Sequence, residues 1–193
     1  MPTVATPKVS VPRVLVPLAQ GCEELEAVTI IDLLRRAGIE VISAGLDTGS
    51  ITASRGVTLI PDTDLESALK GDYDMIVLPG GLPGADHLDN DERIKSVLKK
   101  MADNGKYTAA ICAAPKVLAN AGVLAGKTAT SYPGFLDNLG LSDTILSSEA
   151  VVRDGKVVTS RGPGTAIDFA LELIEVLSGE EKRNEVETAL VRY

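Results

Sequence analysis

The sequence predicts a single α/β sandwich domain with a mostly parallel central sheet covered on both faces. Three observations carry this. Short, uniformly apolar runs such as RVLVPL (13–18) and MIVLP (75–79) have the character of strands buried on both sides. They alternate with longer segments of helical period. At 193 residues, with 45% hydrophobic and 24% charged residues, the chain is the size and composition of one globular domain.

The elements follow in order. Residues 1–12, punctuated by Pro2, Pro7 and Pro12, are expected to be a flexible leader, and 13–193 a single domain. Arg13 to Leu18 is the first buried strand. Glu23 to Ala37 has helical period, with acids at its start and arginines at its end to match the macrodipole, and Gly38 stops it. Ile39 to Ala44 is a second strand. Ile51 to Ile60, bent around Arg55 and Gly56, is expected to be a hairpin or extended excursion. Met75 to Pro79 is a strand followed by a glycine-rich turn. Asp91 to Asn104 is an amphipathic helix with Ile94, Val97, Leu98 and Met101 on one side. Thr108 to Ile111 is a strand that runs into a helix from Pro115 to Ala121. Ala150 to Ser160 is a hairpin turning at Asp154-Gly155, Pro163 to Ser178 the last long helix, and the charged tail from Gly179 packs on the surface.

Composition excludes several functions. A net charge of −8 argues against nucleic-acid binding, which needs clustered basic surface. With 3% aromatics and no Trp, stacking platforms are not expected. No apolar run reaches the roughly 20 residues that span a bilayer, and no signal segment is visible, so a cytoplasmic protein with reduced thiols is expected. The turn after the first strand has only Gly21, short of a dinucleotide fingerprint. The stretch GVLAGKT (122–128) lacks one residue of a P-loop and follows a helix instead of a strand. The single histidine, His87, is expected on a solvated helix end, and no cysteine pair has ligand spacing, so no metal is expected. The nucleophile elbow of serine hydrolases is also missing.

The informative turn is AAICAAP (109–115). A buried strand passes directly into a helix, with Cys112 at the junction among small residues. This is an elbow geometry that projects the thiol beside a helix N-terminus and is expected to lower its pKa. A small cysteine filling a strand end fits the same residues. The turn PGGLPGA (79–85) ends a parallel strand beside it, and glycines there let backbone N–H groups approach a reacting oxygen. Glu26 shares a helical stripe with Ile30, Leu33 and Ala37, where desolvation would raise its pKa. An exposed first-turn glutamate serving the dipole is the alternative.

Together, EELE (23–26), LPGG (78–81), AICAAP (110–115) and SRGPGT (160–165) resemble the ThiJ/PfpI superfamily, in its deglycase (glyoxalase III-like) branch, over nearly the whole chain. The resemblance implies a flavodoxin-like three-layer sandwich, a homodimer and cofactor-free chemistry. It makes Cys112 the nucleophile and Glu26 its paired carboxyl, with Gly81 and Ala113 supplying oxyanion amides and Gly80 beside them. Arg55 corresponds to an arginine reaching the site from the partner subunit, and Arg36 to one lying nearby. Tyr132 stands where some members place a histidine, and Ala113 where peptidase-like members do, so a Cys–His dyad is not expected. Cys22 is expected to be a solvent-facing thiol, with a resolving role as the alternative. The function expected is a glyoxalase or deglycase converting 2-oxoaldehydes, or their adducts, to 2-hydroxy acids. The alternative is a redox-sensing stress protein or redox-regulated chaperone switched by Cys112 oxidation.

Overall fold

A computed structural model describes residues 11–192. Most of the expected leader therefore lies outside the described residues. In chain order the strands are β1 (Arg13–Leu18), β2 (Glu40–Gly45), β3 (Ile51–Thr52), β4 (Thr58–Leu59), β5 (Thr63–Asp64), β6 (Met75–Leu78), β7 (Tyr107–Ile111), β8 (Thr128–Ala129), β9 (Ile145–Leu146), β10 (Val151–Asp154) and β11 (Val157–Ser160). The helices are α1 (Glu24–Arg36), α2 (Leu65–Ala68), α3 (Gly84–Asn90), α4 (Glu92–Asp103), α5 (Pro115–Asn120), α6 (Ala166–Ser178) and α7 (Glu180–Ala189).

Seven strands form the central sheet in the order β10-β11-β7-β6-β1-β2-β5. Every pairing is parallel except β10 with β11, the hairpin at the edge. Side chains alternate between faces along each strand. Val14, Val16, Leu18, Met75, Val77, Ala109 and Ile111 pack into one core with α1, α6 and α7, and Leu15, Ile76, Leu78 and Ala110 into another with α2–α5. Both faces are thus apolar, which is why these strands read as continuous hydrophobic runs.

The structure adds elements that carry little periodicity. Thr63–Asp64 extends the sheet edge beside β2, and the turn after β6 winds into α3. The tail beyond Gly179 is a helix, α7, whose Val186 is buried in the core it shares with α6. Pro163–Thr165 forms one 3₁₀ turn ahead of α6, a tighter start than the continuous helix expected. Among the described residues, no helix is long and apolar enough to cross a membrane.

Candidate active site

Strands β6 and β7 lie side by side and in parallel, so their carboxyl ends open on the same edge, where sites form in open α/β sheets. Cys112 follows β7 immediately, with φ of 63°, and among the described residues only it and Val191 have positive φ without being glycine. A non-glycine residue held there costs about 1–3 kcal/mol, sustained only because the surroundings fix it. They do so through the Cys112 N–H, which donates to Ser160 O at 3.0 Å, and the Cys112 carbonyl, which accepts from Tyr132 N–H at 2.9 Å. Ser160 is itself held, its hydroxyl bonded to Ala150 O at 2.8 Å and lying 2.7 Å from Thr165 Oγ1. The role of Ser160 and Thr165 had no periodic signal; only the SRGPGT motif marked them.

Glu26, in the first turn of α1, is fully buried. Its Oε2 accepts the Gly80 N–H at 2.8 Å, while Oε1 is buried with no hydrogen-bond partner. The polar group facing the carboxyl is the Cys112 thiol. Burial pushes the Glu26 carboxyl up to about 7, against the opposing pull of the Gly80 amide and the thiol. Cys112 is pushed up to about 12, first by burial and then by the Glu26 charge, although the amides of Gly81 and Ala113 lower it. This corrects the expected depression. The helix after Cys112 is only one short turn and a half, Pro115–Asn120, and desolvation beside a carboxylate outweighs its dipole. The two groups titrate as a pair, and ionised sulfur is favoured only when Glu26 holds the proton.

Glycine is required where three segments converge. A Cβ on Gly80 would lie 2.7 Å from Cys112 Cβ and 2.9 Å from Ile111 O, and one on Gly81 (φ 86°) 2.4 Å from Glu23 N. The Gly80 amide serves the carboxyl of Glu26, leaving the amides of Gly81 and Ala113 as the backbone groups that favour ionised sulfur.

The remaining expected residues divide. Tyr132 sits against Cys112 through its backbone; the residue is 48% exposed, and its ring packs edge-on to Phe135. Arg55 is at the exposed turn between β3 and β4, where its N–H donates to Glu24 Oε1 at 2.9 Å. Arg36 is not beside the site within this chain: it closes α1, about 15 Å from Glu26 at 1.5 Å per residue, and pairs with Asp32 at 2.9 Å. Cys22 is a second correction. It is fully buried under the same glycine-rich turn, and burial, then the charge of Glu24, push its thiol up to about 11. His87 is exposed near the end of α3, as expected.

Comparison with known proteins places this geometry. Residues 12–176 match the model of the DJ-1/PfpI family. The chain is 44% identical over 178 residues to protein dj-1beta of Drosophila melanogaster, covering 92% of this chain and 95% of that protein. The crystal structure of Drosophila DJ-1beta matches with a TM-score of 0.90 at 43% identity, over 94% of this chain and 98% of that one. An oxidized Toxoplasma gondii DJ-1 matches at 0.89 and 41% identity, covering 95% and 100%. The chain is also 34% identical over 165 residues to the glutathione-independent glyoxalase DJR-1.2 of Caenorhabditis elegans, covering 86% and 88%. With its elbow cysteine, buried glutamate and mostly parallel sheet, the chain belongs to the DJ-1/PfpI family.

Proposed function

We propose that the protein is a cofactor-free glyoxalase that converts 2-oxoaldehydes such as methylglyoxal to 2-hydroxy acids. The observation that carries this is the buried Glu26 carboxyl, half satisfied by Gly80 and otherwise coupled to the Cys112 thiol. A carboxyl near 7 is matched to proton transfer at neutral pH. The thiol attacks the aldehyde carbon while its proton passes to Glu26, so no free thiolate need accumulate. The Gly81 and Ala113 amides, which favour negative charge at the sulfur, would stabilise the oxygen that gains charge. Protonation of that oxygen by Glu26 gives the hemithioacetal. The carboxylate then removes the proton from the former aldehyde carbon, giving an enediolate, and returns it to the neighbouring carbon while the hydroxyl proton passes to the former ketone oxygen. The product of this transfer is a thioester of the 2-hydroxy acid. Water cleaves the thioester, releasing the acid and regenerating the thiol, so the sum is one 2-oxoaldehyde plus one water to one 2-hydroxy acid. The name of the nematode relative supports the same chemistry. A deglycase acting on dicarbonyl adducts would use the same residues.

The assembly proposed is a homodimer. Leu25 and Val28 on α1 and Val57 and Ile60 in and beside the hairpin are exposed apolar side chains, and Arg55 stands at the hairpin turn. Paired α1 faces would cover the first group and carry Arg55 toward the neighbouring site.

Purified protein supplied with methylglyoxal and no glutathione is expected to form lactate, and Cys112→Ser to form none. Absence of lactate from the wild type would remove the glyoxalase reading. A redox-sensing role is favoured by one observation, the two amides that would hold a sulfinate at Cys112. A wild type that forms no lactate, but whose melting temperature or assembly changes on stoichiometric oxidation of Cys112 and not in Cys112→Ser, would mark it.

A further inference from the structure

A cavity of about 290 Å³ is lined by Thr130, Ser131, Asp137, Ser147, Ser148 and Arg161, and neither Cys112 nor Glu26 borders it. Its polar groups are incompletely used. Thr130 is 1% exposed and its N–H donates to Thr159 Oγ1 at 2.9 Å, yet its own Oγ1 is buried without a partner. Buried hydroxyls are nearly always hydrogen-bonded, so this one carries bonding capacity that no described residue takes up. Arg161 donates through Nη1 to Ser148 O at 2.8 Å, which fixes the guanidinium, and it forms no ion pair with a carboxylate among the described residues. Its other N–H groups are free for a planar, two-oxygen anion.

The walls narrow the class of ligand. Pro133, Leu136 and Leu146 offer apolar surface for carbon, which inorganic anions do not need. Asp137, held through Oδ2 by the Gly134 N–H at 2.8 Å, repels a dianion but can accept a hydrogen bond from a hydroxyl. We propose that this cavity binds a small hydroxycarboxylate monoanion, its carboxylate on Arg161 and its hydroxyl between Thr130 and Asp137, Ser131 being engaged with Tyr132 O and the Leu136 N–H. The segment that walls it continues into Tyr132, whose amide holds the Cys112 carbonyl, so an occupant would touch the chain that braces the elbow. The binding site stands without turnover; that its natural occupant is the 2-hydroxy acid product rests on the proposed function.

The test uses the full chain carrying Cys112→Ser, which cannot turn over, titrated with L-lactate, D-lactate, propionate and inorganic phosphate while backbone amide shifts are followed. Saturable lactate binding is expected, with shifts at residues 130–137 and 147–148, and weaker binding of propionate and phosphate. Thr130→Val and Arg161→Gln should each weaken lactate binding about tenfold or more. Thr130→Val should do so without lowering the melting temperature, because it removes an unpartnered hydroxyl, whereas a merely structural Thr130 would leave binding intact. Lactate binding unchanged by both substitutions, phosphate binding as tight as lactate, or no binding of lactate would each overturn the proposal.

Discussion

Glu26 and Cys112 occupy the same desolvated space and compete for one proton. Glu26 lifted from 4.5 to about 7 means that the folded protein binds a proton the unfolded chain has released. Its contribution to stability is therefore fully present below about 4.5 and is lost as pH rises through about 7, a difference of about 3 kcal/mol at most. Glu26→Gln keeps an oxygen for the Gly80 N–H and carries no charge, so it should raise stability at pH 8 by about 1–3 kcal/mol and flatten the dependence between pH 5 and 8. Denaturant melts of both proteins at the two pH values check this; a destabilised Gln variant at pH 8 would mean that the charged carboxylate is well solvated. Both thiols are pushed up, but Cys22 is fully buried whereas Cys112 is 9% exposed and faces two amides. Peroxide at low excess should therefore modify Cys112 before Cys22, as peptide mass mapping would read. The stripe Glu26-Ile30-Leu33-Ala37 made the burial of Glu26 legible in the sequence. The direction of the Cys112 pKa was not legible, because position beside a helix is a local signal and desolvation is not.

Elements converge on the site through short backbone contacts. The Glu23 N–H donates to Gly80 O at 2.9 Å, the Gly21 N–H to Thr52 O at 2.8 Å and the Ser54 N–H to Cys22 O at 2.8 Å, so three loops share one knot. Cys22 sits inside it, which is why a residue in a loop beside two glutamates is buried rather than solvent-facing. Gly80→Ala would drive a methyl into the Cys112 Cβ and the Ile111 carbonyl, groups with no room to yield. It should cost about 1–3 kcal/mol of stability and a larger share of activity, since the elbow must move. Calorimetry and initial rates check it, and an active, equally stable variant would show that the turn is pliable. The strands β1, β2, β6, β7, β10 and β11 and the helices α1, α4, α5 and α6 were legible because both cores demand apolar periodicity, whereas the charged α7 was not. The two-residue strands β5, β8 and β9 and the short α3 were not, since they are fixed by what they pack against.

At the scale of the molecule, the parallel order β11-β7-β6-β1-β2 brings residues 26, 80, 81, 112 and 113 from three separate segments to one edge. Alternation of strand and helix predicted a mostly parallel sheet but not this strand order, and the resemblance carried by four motifs implied which residues to look for at its edge. Arg36 shows the limit of such carry-over, because it closes the opposite end of α1 from Glu26 and could meet a site only across an interface. The proposed homodimer tests that interface. Light scattering at micromolar concentration should give twice the chain mass, and Leu25→Glu with Val28→Glu should give monomer by placing charge on the apolar face. A wild-type monomer would remove Arg55 from the site.

The most direct measurement is the pH dependence of kcat/KM for methylglyoxal without glutathione, in wild type and Glu26→Gln. If Glu26 accepts the thiol proton, the wild-type rate rises through about pH 7 and levels off well below the pKa of Cys112 near 12. Glu26→Gln should stay folded, lose about 10²-fold or more in rate and lose that inflection. A rate that keeps climbing with alkalinity in both proteins, with no step near neutrality, would contradict the account by making the free thiolate, and not the shared proton, the source of reactivity.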